Sequence, residues 1–186
     1  MHPIVVIAAS AGGFQPLRRI VAALPVPYFG AVFIVMHIGP NPSMLPSLLS
    51  RPNTFPAAFA QDGDFIEAGR IYVAPPDYHM ILGADRIRLT YGPKVKHTRP
   101  AADPLFISAA EAFGKRVIGV VLSGGGDDGA AGLRAIKEHG GTALVQHPDD
   151  AVHSSMPRSA LAAVHPDASL TVQEISQRII ASFMLL

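Results

Sequence analysis

The sequence predicts an α/β fold: a doubly wound, mostly parallel sheet with an antiparallel β-hairpin inserted in it. The first observation is that short, continuous, β-branched apolar runs alternate with amphipathic stretches of helical spacing. Continuous apolar runs are typical of parallel strands that are buried on both faces. The second is that, in the middle of the chain, two short runs stand on either side of a turn, which is typical of a hairpin.

Size and composition predict one globular domain over residues 1–186. The chain is 49% apolar and 16% charged, which is enough apolar surface for a single core. Its 15 basic and 14 acidic residues nearly balance, so binding driven by nucleic-acid phosphates is not expected. The absence of cysteine excludes disulfides and thiolate chemistry and is typical of a cytoplasmic protein. No apolar run approaches the roughly 20 residues of a membrane span, so membrane insertion is not expected.

The N-terminal part of the chain reads as strand, helix, strand, helix. The run Ile4 to Ala9 predicts a buried strand, and Gly12-Gly13 ends it. Phe14 to Leu24 has apolar residues at helical spacing, and a proline follows. Ala31 to Met36 predicts a second buried strand, and the apolar residues from Met44 to Leu49 predict a short helix.

The middle of the chain breaks the parallel pattern, which then resumes. Gly69 to Ala74 predicts a strand, and His79 to Leu82 with Arg86 to Leu89 predicts the hairpin. The later predicted elements are a helix over Pro104–Phe113, a strand over Arg116–Leu122, a helix over Asp128–His139, a strand over Thr142–Gln146 and a final helix from Val172 to Phe183.

Polar side chains follow the predicted strands where ligands bind in an open parallel sheet. Ser10 follows the first strand, His37 the second, and Asp128 stands just beyond the glycines of Ser123–Gly126. A hydroxyl, an imidazole and a carboxylate are the parts of a relay of nucleophile, base and orienting group. The glycines leave space for backbone amides that could face a developing oxyanion.

Each of these residues also has an alternative interpretation that spacing leaves open. Ser10 could cap the helix that begins at Phe14, Asp128 could cap the helix that it starts, and His37 could be a structural histidine. The glycine loops could hold a nucleotide phosphate, although neither has the spacing of a standard phosphate-binding motif. His37, Asp127 and Asp128 could bind a metal ion, without a standard ligand spacing.

Six ordered segments of the sequence resemble the catalytic domain of the chemotaxis protein-glutamate methylesterase family, CheB. These segments are Ala8–Gly13, Val35–Ile38, Gly69–Met80, Arg99–Phe106, Leu122–Leu133 and Ser155–Ala160. The resemblance implies Ser10 as nucleophile, His37 as base and Asp128, rather than Asp127, as the third member of a catalytic triad. It also implies a doubly wound fold with a hairpin, and no cofactor or metal.

The activity that this resemblance implies is that of a cytoplasmic serine hydrolase. Its members demethylate glutamate methyl esters on methyl-accepting chemotaxis receptors and also deamidate receptor glutamines. Their usual regulator is an N-terminal receiver domain. This chain begins directly at the predicted catalytic strand, so it is expected to be either an excised domain or a stand-alone member.

Two departures from the family pattern lie beside the predicted triad. Ala11 stands where the family commonly has threonine, and Gly125 where it commonly has methionine. The backbone amides of these two residues are the candidates for an oxyanion site. The departures keep one rival interpretation open, namely a catalytically weak or non-catalytic partner-binding module on the same fold. The glycine loops keep a second rival open, namely a nucleotide-binding protein.

A basic cluster lies in the segment Pro93–Pro104, which is the part of the sequence most like a linker. Its members are Lys94, Lys96, His97 and Arg99. A solvated loop is one interpretation of this cluster. The other is a patch that receives an acidic partner, because clustered cations attract carboxylates.

Overall fold

The computed structural model describes residues 2–27, 30–50 and 56–184. Its centre is a parallel sheet of seven strands, accompanied by a separate antiparallel pair. The strands of the sheet are β1 (Ile4–Ala9), β2 (Ala31–Met36), β3 (Ala57–Phe59), β4 (Arg70–Val73), β7 (Val117–Val121), β8 (Thr142–Gln146) and β9 (Ala168–Leu170). The antiparallel pair is β5 (His79–Leu82) and β6 (Ile87–Thr90).

In the described part of the chain, six helices cover the two faces of the sheet, as a doubly wound fold requires. They are α1 (Phe14–Ala23), α2 (Leu45–Leu49), α3 (Ala102–Phe113), α4 (Ala130–Glu138), α5 (Ser155–Ala163) and α6 (Val172–Met184). Apolar residues of α1, α2 and α6 form one core with one face of the sheet. Residues of α3, α4, α5 and the β5–β6 hairpin form a second core with the other face.

Alternation along β1 shows how one strand serves both cores. Val5 and Ile7 belong to the core beneath α1, whereas Val6 and Ala8 belong to the core beneath α3. All four side chains are at most 1% exposed, which explains why the run is continuously apolar.

The strand order β3-β4-β2-β1-β7-β8-β9 places a topological switch point between β1 and β7. From β1 the chain first winds outward through β2 to the β3 edge, and it then returns to β7 and winds outward to β9. Ligands of open α/β sheets bind outside the carboxyl ends of the strands at such a point. The loops after β1, β2 and β7 therefore define where a functional site is expected.

The predicted fold is confirmed, and the structure adds three elements. The short edge strands β3 and β9 and the helix α5 were not predicted, and a 3-10 turn over Gly114–Arg116 links α3 to β7. Three-residue edge strands carry too little periodicity to stand out from loops. Helix α4 begins at Ala130, not at Asp128, because Gly129 adopts a left-handed φ of 94°. Among the described residues, no helix is long and apolar enough to cross a membrane.

Candidate active site

The three predicted triad residues lie on adjacent loops at the carboxyl edge of the sheet. Ala9 and Met36 are partners in the parallel pairing of β1 and β2, so Ser10 and His37 leave the sheet side by side. The backbone N–H of His37 donates to Ala9 O at 3.1 Å. On the other side of β1, the N–H of Ser10 donates to Ser123 O at 3.0 Å, which ties the first loop to the loop after β7.

The His37 imidazole binds the Asp128 carboxylate. Its Nε2 lies 2.7 Å from Asp128 Oδ2, and the aspartate is only 2% exposed. Because a carboxylate accepts, Nε2 carries the proton of this bond and Nδ1 is left with the lone pair of a base. Thr98 Oγ1 lies 3.5 Å from the same Nε2, so the loop that carries Thr98 contacts the imidazole.

Two backbone amides of α3 fix the Asp128 carboxylate. Ala102 N–H donates to Oδ2 at 2.6 Å, and Asp103 N–H donates to Oδ1 at 3.0 Å. These amides belong to the first turn of α3, where a helix has unpaired donors and the positive end of its dipole. Asp128 thus caps α3 rather than α4, and the alternative that it caps its own following helix is wrong. Helix α4 has Gly129 as its N-cap, with no side-chain cap.

Asp103 in turn caps α4. Its Oδ1 accepts from Gly129 N–H at 3.0 Å and from Gly132 N–H at 2.7 Å. The two aspartates therefore cap each other's helices, with Asp103 only 4% exposed. Burial raises the pKa of Asp103, and the charge of Asp128 adds to that increase. Sequence reasoning missed Asp103, because an aspartate in the first turn of a helix usually serves its own helix.

Ser10 is set in a tight, glycine-lined loop. The N-cap of α1 is Gly13, with no side-chain cap, so the alternative that Ser10 caps this helix is wrong. A Cβ added at Gly124 would lie 2.8 Å from the Ser10 Cβ and would collide with Met156 Sδ. Ser10 is half-buried, and its hydroxyl makes no hydrogen bond to any residue that the structure describes.

Most backbone amides of the glycine loop, Ser123–Gly126, already donate hydrogen bonds within the protein. Gly124 N–H donates to His153 O at 2.9 Å, and Gly126 N–H donates to Ser155 Oγ at 3.2 Å. The amides of Ala11 and Gly125 have no partner within the described part of the chain. Both residues are exposed at the site, so the two amides remain candidates for an oxyanion site. Because the amides on either side of Gly125 already donate within the protein, this loop has few free donors for a nucleotide phosphate.

Ser123 joins the nucleophile loop to the loop before α5. Its hydroxyl donates to Ala11 O at 2.8 Å and accepts from His153 N–H at 2.9 Å. Its own N–H donates to Gln146 Oε1 at 2.8 Å, and both residues are fully buried. The sequence placed Ser123 at the end of a strand but did not indicate this bracing, since its partners are distant in the chain.

The basic cluster lies at the mouth of the site. Lys96 Nζ is 2.5 Å from Asp127 Oδ2, which connects the cluster to the loop after β7. The Arg99 guanidinium binds Asp77 Oδ1 at 2.8 Å, and its hydrogen bond lowers the pKa of Asp77. Asp127 is therefore a partner of Lys96, separate from the His37–Asp128 pair. In residues 2–27, 30–50 and 56–184, no group of three or more His, Asp or Glu side chains could hold a metal ion.

Comparisons with known proteins identify the family of the chain. Residues 5–179 match the model of the CheB methylesterase family. A relative in Leptospira interrogans is 37% identical over 175 residues, which cover 93% of this chain and 91% of the relative. The protein-glutamate methylesterase/protein-glutamine glutaminase of Pyrococcus horikoshii is 35% identical, and the match covers 95% of this chain but only 49% of that protein.

A solved structure gives the same result at the level of the fold. The crystal structure of the Thermotoga maritima CheB methylesterase catalytic domain superposes with a TM-score of 0.93 and 30% sequence identity. The superposition covers 97% of this chain and 98% of that domain. Fold, site geometry and sequence similarity together show that the chain belongs to the CheB methylesterase family.

Proposed function

We propose that this protein is a serine hydrolase that demethylates glutamate γ-methyl esters on methyl-accepting chemotaxis receptors. The observation that carries the proposal is the 2.7 Å bond between His37 Nε2 and Asp128, on the loop next to Ser10. The relatives named protein-glutamate methylesterase/protein-glutamine glutaminase support the substrate class. Deamidation of receptor glutamines is included, because an amide passes through the same tetrahedral intermediate.

The first half of the reaction acylates the serine. Ser10 Oγ attacks the ester carbonyl carbon while His37 Nδ1 takes the hydroxyl proton. The carbonyl electrons move to the oxygen, and the amides of Ala11 and Gly125, which have no partner among the described residues, donate to the oxyanion. When the carbonyl re-forms, the ester C–O bond breaks and methanol leaves with the proton from the imidazolium. Asp128 holds the ring and stabilises its positive charge throughout.

The second half of the reaction releases the protein substrate. Water attacks the acyl-enzyme carbonyl as His37 Nδ1 takes one of its protons, and a second tetrahedral intermediate forms. Its collapse breaks the bond to Ser10 Oγ, which recovers a proton from the imidazolium. The products are the free enzyme and a glutamic acid side chain, which loses its remaining proton to solvent and becomes a carboxylate. With a glutamine substrate, ammonia replaces methanol as the leaving group.

Three finer features belong to the same proposal. A single catalytic domain over residues 1–186 acts in the cytoplasm on the cytoplasmic part of a receptor. A receiver domain, supplied by a longer chain or by a separate protein, regulates access to the site. The Pyrococcus relative, of which this chain matches about half, supports such an additional region in other family members.

The direct test is the release of methanol from a receptor fragment that carries methylated glutamates. We expect turnover by the wild-type protein and none above background by Ser10→Ala. A wild-type protein that binds the fragment but releases no methanol would instead support a non-catalytic partner-binding module.

A further inference from the structure

The tip of the basic cluster, the two-residue turn Lys96-His97, has an unusual backbone conformation. Val95 and Thr98 exchange both backbone hydrogen bonds, Val95 N–H to Thr98 O at 3.1 Å and Thr98 N–H to Val95 O at 2.9 Å. The two residues between them, Lys96 and His97, have φ values of 50° and 65°. A two-residue turn with both φ values positive normally carries asparagine and glycine. Lysine and histidine are strained there, and strain of this kind clusters at functional sites.

Several bonds hold this turn in one place. His79 Nδ1 accepts from Ala101 N–H at 3.2 Å, and its Nε2 binds Pro93 O at 3.0 Å, so one buried ring fixes both ends of the loop. Arg99 adds bonds to Asp77 and to Gly92 O. The tip is therefore a preorganised part of the site's wall.

A cavity of about 120 Å³ lies between this tip and the loop after β2. The catalytic His37 lines it, together with Pro40, Lys94, His97 and Arg99. Arg99 is neutralised by Asp77, whose carboxylate also lines the cavity. The side chains of Lys94 and His97 have no hydrogen bond or ion pair with any described residue, so their donors are available to a ligand.

We propose that this cavity is a subsite for a carboxylate of the protein substrate, with Lys94 and His97 as its ligands. The carboxylate belongs to an acidic side chain that neighbours the scissile ester. Each ester that the enzyme hydrolyses leaves a carboxylate on the substrate, so a segment with several modification sites becomes a better ligand as the reaction proceeds. This inference rests on the proposed function, since it specifies the substrate of the same site.

The test uses two synthetic peptides that carry one glutamate γ-methyl ester and differ only in a neighbouring residue, glutamate or glutamine. The readout is the ratio of kcat/KM for the two peptides, measured separately for each protein. We expect a ratio of about three to ten for the wild type, which falls with salt, and a ratio near one for Lys94→Gln/His97→Asn. Asparagine is chosen at position 97 because it tolerates the left-handed backbone.

Lys115→Gln is the matched control. Lys115 is exposed at the opposite edge of the sheet, before β7, so its loss changes the net charge equally but should leave the ratio at the wild-type value. A wild-type ratio of one, or a double variant that keeps the preference, would overturn the subsite. A wild-type protein that hydrolyses neither peptide nor a methylated receptor fragment would overturn the proposed function and, with it, the subsite.

Discussion

The two halves of the candidate triad are built in different ways. On the aspartate side, Asp128 and Asp103 are buried and accept four backbone N–H bonds between them. Asp128 caps α3, to which Asp103 belongs, and Asp103 caps α4, which follows Asp128. On the nucleophile side, the Ser10 hydroxyl has no hydrogen bond to the described residues. The loop of Ser10 contains Gly12 and Gly13, and Gly124 of the loop after β7 leaves space for the Ser10 side chain.

This difference assigns different tasks to the two halves. Charge-assisted bonds in a buried setting fix the direction and tautomer of His37 before any substrate arrives. The serine side leaves Ser10 half-buried, with no hydrogen bond from its hydroxyl or from the amides of Ala11 and Gly125 to the described residues. The aspartate side therefore orients the imidazole of His37, and the serine side keeps the nucleophile accessible. We expect substitutions in the two regions to have different effects on kcat and on stability.

The largest effect is expected on the nucleophile side, from Ser10→Ala. It removes the attacking oxygen and should lower kcat by about 10⁶ with little loss of stability, because the hydroxyl makes no hydrogen bond to the described residues. Methanol release measures the rate, and thermal unfolding measures the stability. Ser47→Ala, an exposed serine on α2, is the matched control. More than a tenth of the wild-type rate in Ser10→Ala would remove Ser10 from the mechanism.

The next largest effect is expected on the aspartate side, from Asp128→Asn. The amide should lower kcat by about 10⁴, because its NH2 group cannot accept from His37 or from Ala102 and favours the wrong tautomer. Asp127→Asn is the control and loses only a solvent-screened surface ion pair with Lys96. Equal losses in the two variants, measured as kcat on one small ester, would transfer the orienting role away from Asp128.

Asp103 belongs to the aspartate side and affects catalysis through the position of Asp128. Asp103→Ala leaves the amides of Gly129 and Gly132 without their acceptor, at a cost of about 1–3 kcal/mol for each buried group. Asp103→Asn keeps an oxygen that can accept both bonds. We expect the alanine variant to lose both stability and kcat, and the asparagine variant to recover most of the kcat. Urea unfolding measures the stability of each variant, and ester turnover measures its kcat. If the asparagine variant is as slow as the alanine variant, the hydrogen bonds that Asp103 accepts are not the reason why it supports kcat.

The smallest effects are expected from two adjacent glycines in the loop after β7, of which Gly124 lies against Ser10. Gly124→Ala should destabilise the protein by about 1–3 kcal/mol, because its Cβ collides with Ser10 and Met156. Gly125→Ala meets nothing within 4 Å and should stabilise the protein by about 0.4–1 kcal/mol through a less flexible unfolded chain. Thermal unfolding of the two variants checks the sign of each change, and a loss of stability at Gly125 would contradict this packing.

The sequence predicted the parts of the site that follow directly from strand order. Ser10, His37 and Asp128 each come just after a buried strand or its loop, and the carboxyl ends of parallel strands converge at one edge. The resemblance to the family was needed to choose Asp128 over Asp127. The alternatives for Ser10 and Asp128 failed because both assumed capping of the nearest helix, whereas a glycine occupies each of those N-caps.

What the sequence could not predict depends on contacts between distant segments. Asp103 serves α4 only because α3 and α4 pack side by side on the sheet. Arg99 belongs to the basic cluster in sequence, yet its charge is matched by Asp77, which is 22 positions away. Of the three lysine and arginine residues in the cluster, two therefore form ion pairs with described residues, and no local pattern indicates which two.

Covalent labelling tests the central claim, that His37 and Asp128 activate Ser10 as a nucleophile, most directly. The protein is incubated with a fluorophosphonate, and the modified residue is identified by peptide mass spectrometry, with the rate of adduct formation measured in the wild type and in Asp128→Asn. We predict a single phosphonyl adduct on Ser10 that forms far more slowly in Asp128→Asn. An adduct on another serine, no adduct at all, or equal rates in the two proteins would contradict the account.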